Sequence, residues 1–569
     1  MRAHYVYLAL VLLIVAAFLA CARAAPTATP ARAPAVAPTP TTVRAEPTPT
    51  PRREPRGTLN VIDVMGNESW ILRINSTESQ MQFLSEPLMW WNWTTDSPTN
   101  EAILESWESK QNPDGSLDWT LRLKKGVKFH KGWGEVTAED VKFTLTEFLK
   151  AGSVNPNTAA LIEFFGKDPN NLTVKDPYTL VVHMPTAGNV VEIFRAMSPE
   201  LPSTVRPFPK KYMEQVGEDE FAKNPVFAGP YELVSQQRGY DLTMGAVPNY
   251  YRVTPGFAQI HYLKVLEEAT KVAMLRSGQV DISSVLARST LELKGTDVRI
   301  AVSENAAEPF MALGGVYPTR PDKNDPNAPW AGVDPLAEKP TKVRRALSLA
   351  VDRKAIVDKI LLGYGEAGIV SFSFISPKFP WWNPEWKPIP YDPKQAKQLM
   401  TEAGYPNCFE MKLWLVADDP LSPPIGEAVA SLWEQDLGCK VKRNLQEFRP
   451  VLRQMLNERT TAGWTWSYQG SPIARPFRYA CFHGGPTYQP VVHTEFPFYT
   501  ELCDKARKTI DLAELVKIER QIGDAEYMYV PVVPVALVHF TFGIGPKVKE
   551  WTPMPKKVRA GLLDYALPK

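Results

Sequence analysis

Between Glu101 and Lys150 the apolar and polar positions change period. Trp119, Leu121 and Leu123 alternate with Thr120, Arg122 and Lys124, which is the period-two pattern of a half-buried strand. Pro113-Asp114-Gly115 precedes it as a turn, because proline pre-sets φ and glycine supplies the positive-φ position. Further on, Val141, Leu145 and Phe148 recur at helical spacing, and Thr137 with Asp140 three residues later forms a near capping box. The predicted unit is therefore turn, strand, loop and capped helix.

The same reading extends along the chain. Thr58–Val64 is apolar enough for a first strand; Gly66–Trp70 is a loop, and the segment from there to Phe83 reads as helical. Ala269–Ser277 is a helix ended by Gly278. Thr341 and Asp352 each suit a helix start, with Gly363 as a stop. Asp392 caps a further helix, with Pro393 at its first position and Gly404 past its end. Phe409–Val416, Pro424–Leu437 and Cys439–Leu445 form a strand–helix–strand unit, so the two strands are expected to be parallel. Cys408 and Cys439 sit at the starts of these strands, and neighbouring strands lie ~4.8 Å apart, within disulfide reach. By elimination Cys481 would pair with Cys503, and the absence of any Cys-x-x-Cys spacing argues against zinc.

Length and charge bound the function. A chain of 569 residues suggests two to four domains of about 150 residues each. The net charge of +2 offers no global field for nucleic acid. The N-terminus reads as a targeting segment: Arg2 precedes the apolar run Tyr5–Ala20, whose 16 residues fall short of the ~20 needed to span a bilayer. The run ends in Phe18-Leu19-Ala20-Cys21, which looks like a bacterial lipobox with Phe18 in place of the usual leucine. Cys21 would then be lipidated and become the mature N-terminus. The alternatives are cleavage near Ala24 or Ala25 without lipid, or an uncleaved signal anchor. Ala22–Arg56 is rich in proline, threonine and alanine. It has too little apolar surface to offset its ordering entropy and reads as a semi-extended tether.

Catalytic spacings are missing. The chain has no Gly-x-Ser-x-Gly, no His-Glu-x-x-His, no phosphate-binding Gly-Lys-Ser/Thr loop and no dinucleotide fingerprint. His130 reads as a structural hydrogen-bonding group, and nothing in the spacing of His483 and His493 asks for a metal. The adjacent carboxylates Glu267-Glu268 and Asp418-Asp419 read as solvated. No catalytic residue, metal or cofactor is expected.

Several ordered blocks resemble one family, the extracellular solute-binding proteins of family 5, the peptide- and nickel-binding subunits of ABC importers. The blocks are Glu101–Glu108 with Gly126–Val141, Ser85–Leu88, Ala228–Leu233 with Asn249–Tyr251, Gly278–Ile282, Val343–Val357, Tyr391–Pro406 and Tyr529–Pro534. One departure is Lys131-Gly132-Trp133-Gly134, which lengthens a loop. The resemblance implies an α/β fold of the type II periplasmic-binding-protein kind, with two lobes, mixed sheets and hinge segments. Lobe one would be residues 57–304, with an extra subdomain at about 95–215. Lobe two would be 305–530, and 531–569 would return to lobe one, the crossings lying near Asn305 and Pro531. It also implies reversible, non-covalent capture of a small-molecule or oligomeric solute by hinge closure, and delivery to the transmembrane subunits of an ABC permease. The protein would be extracytoplasmic, periplasmic or on the cell surface, held to the membrane by lipid and monomeric.

The resemblance also marks a site. In peptide-binding relatives the segment matching Gly463–Pro472 carries an aspartate that pairs with the peptide's ammonium. Here Ser467 stands in that place, flanked by Trp464, Trp466, Tyr468 and Gln469. Phe372, Phe374 and Trp70 are further candidates for the cleft wall, with core packing as the alternative for the aromatic residues. Neutral donors beside aromatic faces suit an uncharged, oligosaccharide-like ligand better than a free peptide terminus, with oligopeptide or dipeptide binding, ligand sensing without transport, and a secreted enzyme, which the missing motifs argue against, as the alternatives. Lipidation carries its own test: Cys21→Ser should release the protein from membranes in fractionation, because the two or more acyl chains of a lipoprotein anchor firmly where one is marginal. Unchanged membrane association would favour the signal anchor.

Overall fold

The computed structural model describes residues 54–63, 70–71, 73, 80–92, 97–153, 155, 158–185, 188, 197–198, 204–370, 379–470 and 495–569. Its framework is a long mixed sheet. From one edge the strands run Lys440–Gln446, Glu410–Val416, Trp464–Gly470, Arg299–Leu313, Ala536–Ile544, Ile282–Val285, Thr58–Ile62, Gln259–Leu263, Asp241–Ala246 and Tyr231–Gln237. Val532–Pro534 and Gly365–Ala367 pair beside the two central strands. Two large hydrophobic cores lie on this sheet. One gathers Leu59, Val61, Tyr231, Tyr262, Phe542 and Ile544, the other Met311, Leu347, Leu413, Trp433 and Val533. These are the two lobes.

Among the strands of the described residues, Arg299–Leu313 and Ala536–Ile544 thread both lobes. The first pairs Arg299–Ser303 with Phe540–Ile544, then, past an irregularity between Ser303 and Ala307, pairs Glu308–Leu313 with Thr465–Gly470. Asn305 occupies that irregularity with φ 50°, a left-handed backbone that asparagine tolerates better than most residues. Its N–H donates to His539 Nδ1 at 3.1 Å. The sequence expects the outward crossing near this residue. Beyond Pro531 the chain still pairs with strands of the second core, through Val532–Pro534 and Ala536–Val538, and it joins Ile282–Val285 only from Thr541 onward.

A second sheet, Leu104–Gln111, Leu117–Leu123, Thr179–Met184 and Leu172–Asp176, is antiparallel throughout. Leu117, Trp119, Leu121 and Leu123 are buried in alternation, as the period requires, and share a core with Val141, Leu145 and Phe148 of the helix Ala138–Leu149. Asp140 Oδ2 accepts from the Thr137 N–H and hydroxyl. This layer shares the first core and covers the stretch expected to form an extra subdomain.

The strand–helix–strand unit forms as the periodicity predicts. Glu410–Val416 and Lys440–Gln446 are parallel and in register from Glu410↔Lys440 to Val416↔Gln446. Cys408 and Cys439 are joined, their Cα atoms 4.7 Å apart. Cys503 is also disulfide-bonded; Cys481 lies outside the described residues, as do Cys21, His483 and His493. Asp352 and Asp392 cap their helices as expected. Thr341 does not start one: the helix runs Glu338–Leu349, and the Thr341 hydroxyl instead accepts from Arg344 Nη2 at 3.0 Å.

Buried cations lock each lobe. In the second, Arg353 donates to the carbonyls of Pro534, Ser348, Val351 and Ile389 and to the Ser348 hydroxyl, and burial pulls its pKa down to about 9. In the first, Arg252 pairs with Glu86 at 2.9 Å and Asp564 at 2.9 Å and lies over the Trp90 ring at 4.3 Å.

His130 does for the first lobe what its place in the sequence suggests. It is 6% exposed, its N–H donates to the Phe227 carbonyl at 2.8 Å, and its ring Nε2 meets the Gly229 carbonyl at 2.9 Å. Gly229 is packed so closely that a Cβ would fall 2.3 Å from the Leu84 carbonyl carbon. Burial lowers the His130 pKa from 6.5 to about 4. The unfolded chain therefore takes up this proton first on acidification. The stabilisation is complete above pH ~6.5 and is lost as pH falls toward ~4, by up to about 3 kcal/mol. His130→Gln should flatten the fall in urea-unfolding stability between pH 7 and pH 4.5 relative to wild type; an identical pH slope in the variant would refute the assignment.

Candidate functional site: a cleft between the lobes

The cleft opens where strands of both lobes end. Ile282–Val285 and the neighbouring parallel strand Thr58–Ile62 finish on the first lobe; Glu410–Val416, parallel to Trp464–Gly470, finishes on the second. Crevices beyond the carboxyl ends of parallel strands collect ligands, because loops and helix starts converge there. A cavity of about 380 Å³ sits at this place. Glu268, Lys271, Ser284, Val285 and Leu286 line it from the first lobe, and Val416, Asp418, Asp419, Pro420 and Phe448 from the second. Phe540 of the crossing strand and Val558 of the C-terminal segment complete the wall.

The polar groups are fixed by local structure. Glu268 opens the helix Glu268–Arg276. Its Oε1 accepts from the Leu286 N–H at 2.6 Å and the Ser289 hydroxyl at 2.7 Å, and Lys271 Nζ lies 3.5 Å from its Oε2. Asp418 Oδ1 accepts from the Phe448 N–H at 2.8 Å, and Asp419 Oδ1 from the Leu421 N–H at 2.9 Å, just before the helix Ser422–Leu432. Three carboxylates and one ammonium thus line the cavity, among apolar walls from Val285, Val416, Phe448, Phe540 and Val558. Such a site can hold a cationic group beside an apolar body.

The sequence candidates fall variously. The strand Trp464–Gly470 is central to the second lobe, with Trp466 opposite Ala312 and Trp414, and Ser467 opposite Met311 and Leu415. The side chains of Trp464, Trp466, Ser467, Tyr468 and Gln469 lie outside the described part of the molecule, and so do Phe372 and Phe374 altogether. Trp70 is 3% exposed within the first core, its indole N–H on Gln236 Oε1 at 2.9 Å; packing holds it there, and it does not line the cavity. Glu267 and Asp418 are exposed and Glu268 and Asp419 half-buried, so these carboxylates keep solvent contact as expected, and Glu268, Asp418 and Asp419 also line the cavity. Only Glu267 keeps a purely local role, capping its helix through the Ala269 and Thr270 N–H groups. The signal for Asp418 and Asp419 was available in the chain, since they directly follow the first strand of a parallel pair.

The fold and cleft agree with sequence comparison. Residues 87–489 match the family model described as bacterial extracellular solute-binding proteins, family 5 Middle. The chain belongs to this family. Family-5 membership makes it the solute-binding component of an ABC importer, acting outside the cytoplasm. Heme-binding protein A of Haemophilus influenzae is 26% identical over 477 residues, 80% of this chain and 82% of that protein. The oligopeptide-binding protein AppA of Bacillus subtilis is 26% identical over 61% of this chain and 59% of its own length. Among solved structures, the ABC transporter substrate-binding protein CtaP of Listeria monocytogenes superposes with a TM-score of 0.73 at 18% identity, over 90% of this chain and all of CtaP. These are two-lobed binding proteins, and among the described residues of this one no helix is long and apolar enough to cross a membrane.

Proposed function

We propose that this family-5 protein captures peptides, or peptide-like solutes bearing a free amine, between its lobes and hands them to a membrane permease. The observation carrying this reading is the pair Asp418-Asp419. Leu415 is the register partner of Ser467, and the two carboxylates come three and four residues later, in the turn just past the end of that neighbouring strand. In this reading a counter-charge absent at Ser467 comes from that turn. This replaces the neutral, oligosaccharide-like cargo expected from Ser467 alone, and it accords with the oligopeptide-binding relative. The lobes would be 57–304 and 305–530, with return of the remainder from about His539 where the pairing changes partner. Cys21 would supply the lipid anchor and Ala22–Arg56 the tether.

Calorimetric titration of the full extracytoplasmic chain with di- to tetrapeptides, their N-acetylated forms, heme and an oligosaccharide panel tests this. Free peptides should bind at micromolar level. Acetylation, or Asp418→Asn with Asp419→Asn, should weaken binding about 10- to 100-fold, the worth of a charge-assisted hydrogen bond. The radius of gyration should fall on binding. Equal affinity for acetylated and free peptides, or binding confined to oligosaccharides or heme, would overturn the reading.

A further inference from the structure

Phe540 and the two crossing strands account for one side of the hinge; the C-terminal segment Met554–Ala560 accounts for another. Three hydrogen bonds fasten its main chain to the bulge of the outgoing strand. The Ser303 hydroxyl donates to the Met554 carbonyl at 2.9 Å, the Lys556 N–H to the Glu304 carbonyl at 3.1 Å, and the Lys557 N–H to Ser303 Oγ at 3.2 Å. The Ala560 N–H then donates to Asp63 Oδ2 at 3.0 Å, and Ala560 is buried in the first core. Between these anchors Val558 packs against the second core and lines the cleft. Lys556, held at φ 62° and 7% exposed, places its ammonium 4.5 Å from the centroid of the Phe379 ring. Phe379 stacks on Trp381 at 4.7 Å. That aromatic pair belongs to the second lobe, since Val516 packs against it and Arg520 Nη2 donates to the Pro380 and Trp382 carbonyls at 2.9 and 3.0 Å.

We propose that Met554–Ala560 is a third connection between the lobes, a strap that sets the resting width of the cleft, with Lys556 on Phe379 as its latch and Val558 as its ligand-facing contact. The crossing strands alone leave rotation about the Asn305 bulge free. The strap opposes it, because opening must either pull the ammonium off the ring or break main-chain bonds at Ser303 and Glu304. A buried cation–π pair is strong enough to bias such an equilibrium about tenfold. Lys556 and Phe379 are thus positioning residues for solute capture.

The test uses the ligand-free chain, so its outcome is separable from the identity of the cargo. Lys556→Met keeps the aliphatic stem and removes the cation; Phe379→Leu removes the ring. Each should raise the radius of gyration in X-ray scattering and speed amide exchange at Lys556 and Lys557 about tenfold. The double variant should be no more open than either single one, and Lys556→Arg should restore wild-type width. A merely structural contact would lower the melting temperature without widening the molecule. Single variants with wild-type width and exchange, strictly additive effects in the double variant, or an arginine variant as open as Lys556→Met would each overturn the proposal.

Discussion

A strand that belongs to two lobes must satisfy its backbone in both, and Arg299–Leu313 does so at the cost of one irregular step. Every ladder position it shares with Ala536–Ile544 or Trp464–Gly470 resists motion, since a buried N–H or carbonyl without a partner is expensive. Movement can therefore concentrate only where the ladder already fails, between Ser303 and Ala307. There the Asn305 N–H is satisfied by an imidazole instead of a carbonyl, a side-chain partner that can follow a small rotation. A hinge at this step, as proposed, would follow from hydrogen-bond accounting along one strand.

Hinge motion transmits solute binding only if each lobe moves as a body, and the buried cations provide that stiffness. Arg353 joins two consecutive helices, the Ile389 loop and the strand Val532–Pro534 through carbonyls and the Ser348 hydroxyl; Arg252 joins Glu86, Asp564 and the Trp90 face. Removing one partner of such a set leaves an uncompensated buried group, typically ~3–5 kcal/mol for an ion pair. Arg252 reaches Glu86 and Asp564, and Arg353 reaches Pro534, across long stretches of sequence, so they couple segments that local propensity cannot.

Local chemistry was largely readable from the chain. The alternation at Leu117–Leu123, the Asp352 and Asp392 caps and the parallel pair carrying Cys408 and Cys439 all depend on neighbours within a few residues or on one crossover rule. The Thr341 start failed because the helix continues one turn further back, where Glu338 and Pro340 suit a first turn as well. Glu86, Asp564 and the Lys556 latch were invisible for a different reason: each finds its partner across more than a hundred residues of sequence, and no periodicity encodes that.

The cleft shows how the same limit acts on function. Ser467 in the place of an aspartate suggested a neutral cargo, an inference that treats one strand as the whole wall. A parallel sheet presents several strand ends to one crevice, so a charge lost from one part of the wall can be offset from the loop after a neighbouring strand. Asp418 and Asp419 stand at such an adjacent end, and Glu268 with Lys271 faces them from the other lobe. What selects a solute is then the summed field across the closing gap, which grows as water leaves and the lobes approach. Affinity and closure draw on the same interaction, so a residue that biased the width of the gap, as proposed for Lys556, would tune affinity without touching the solute.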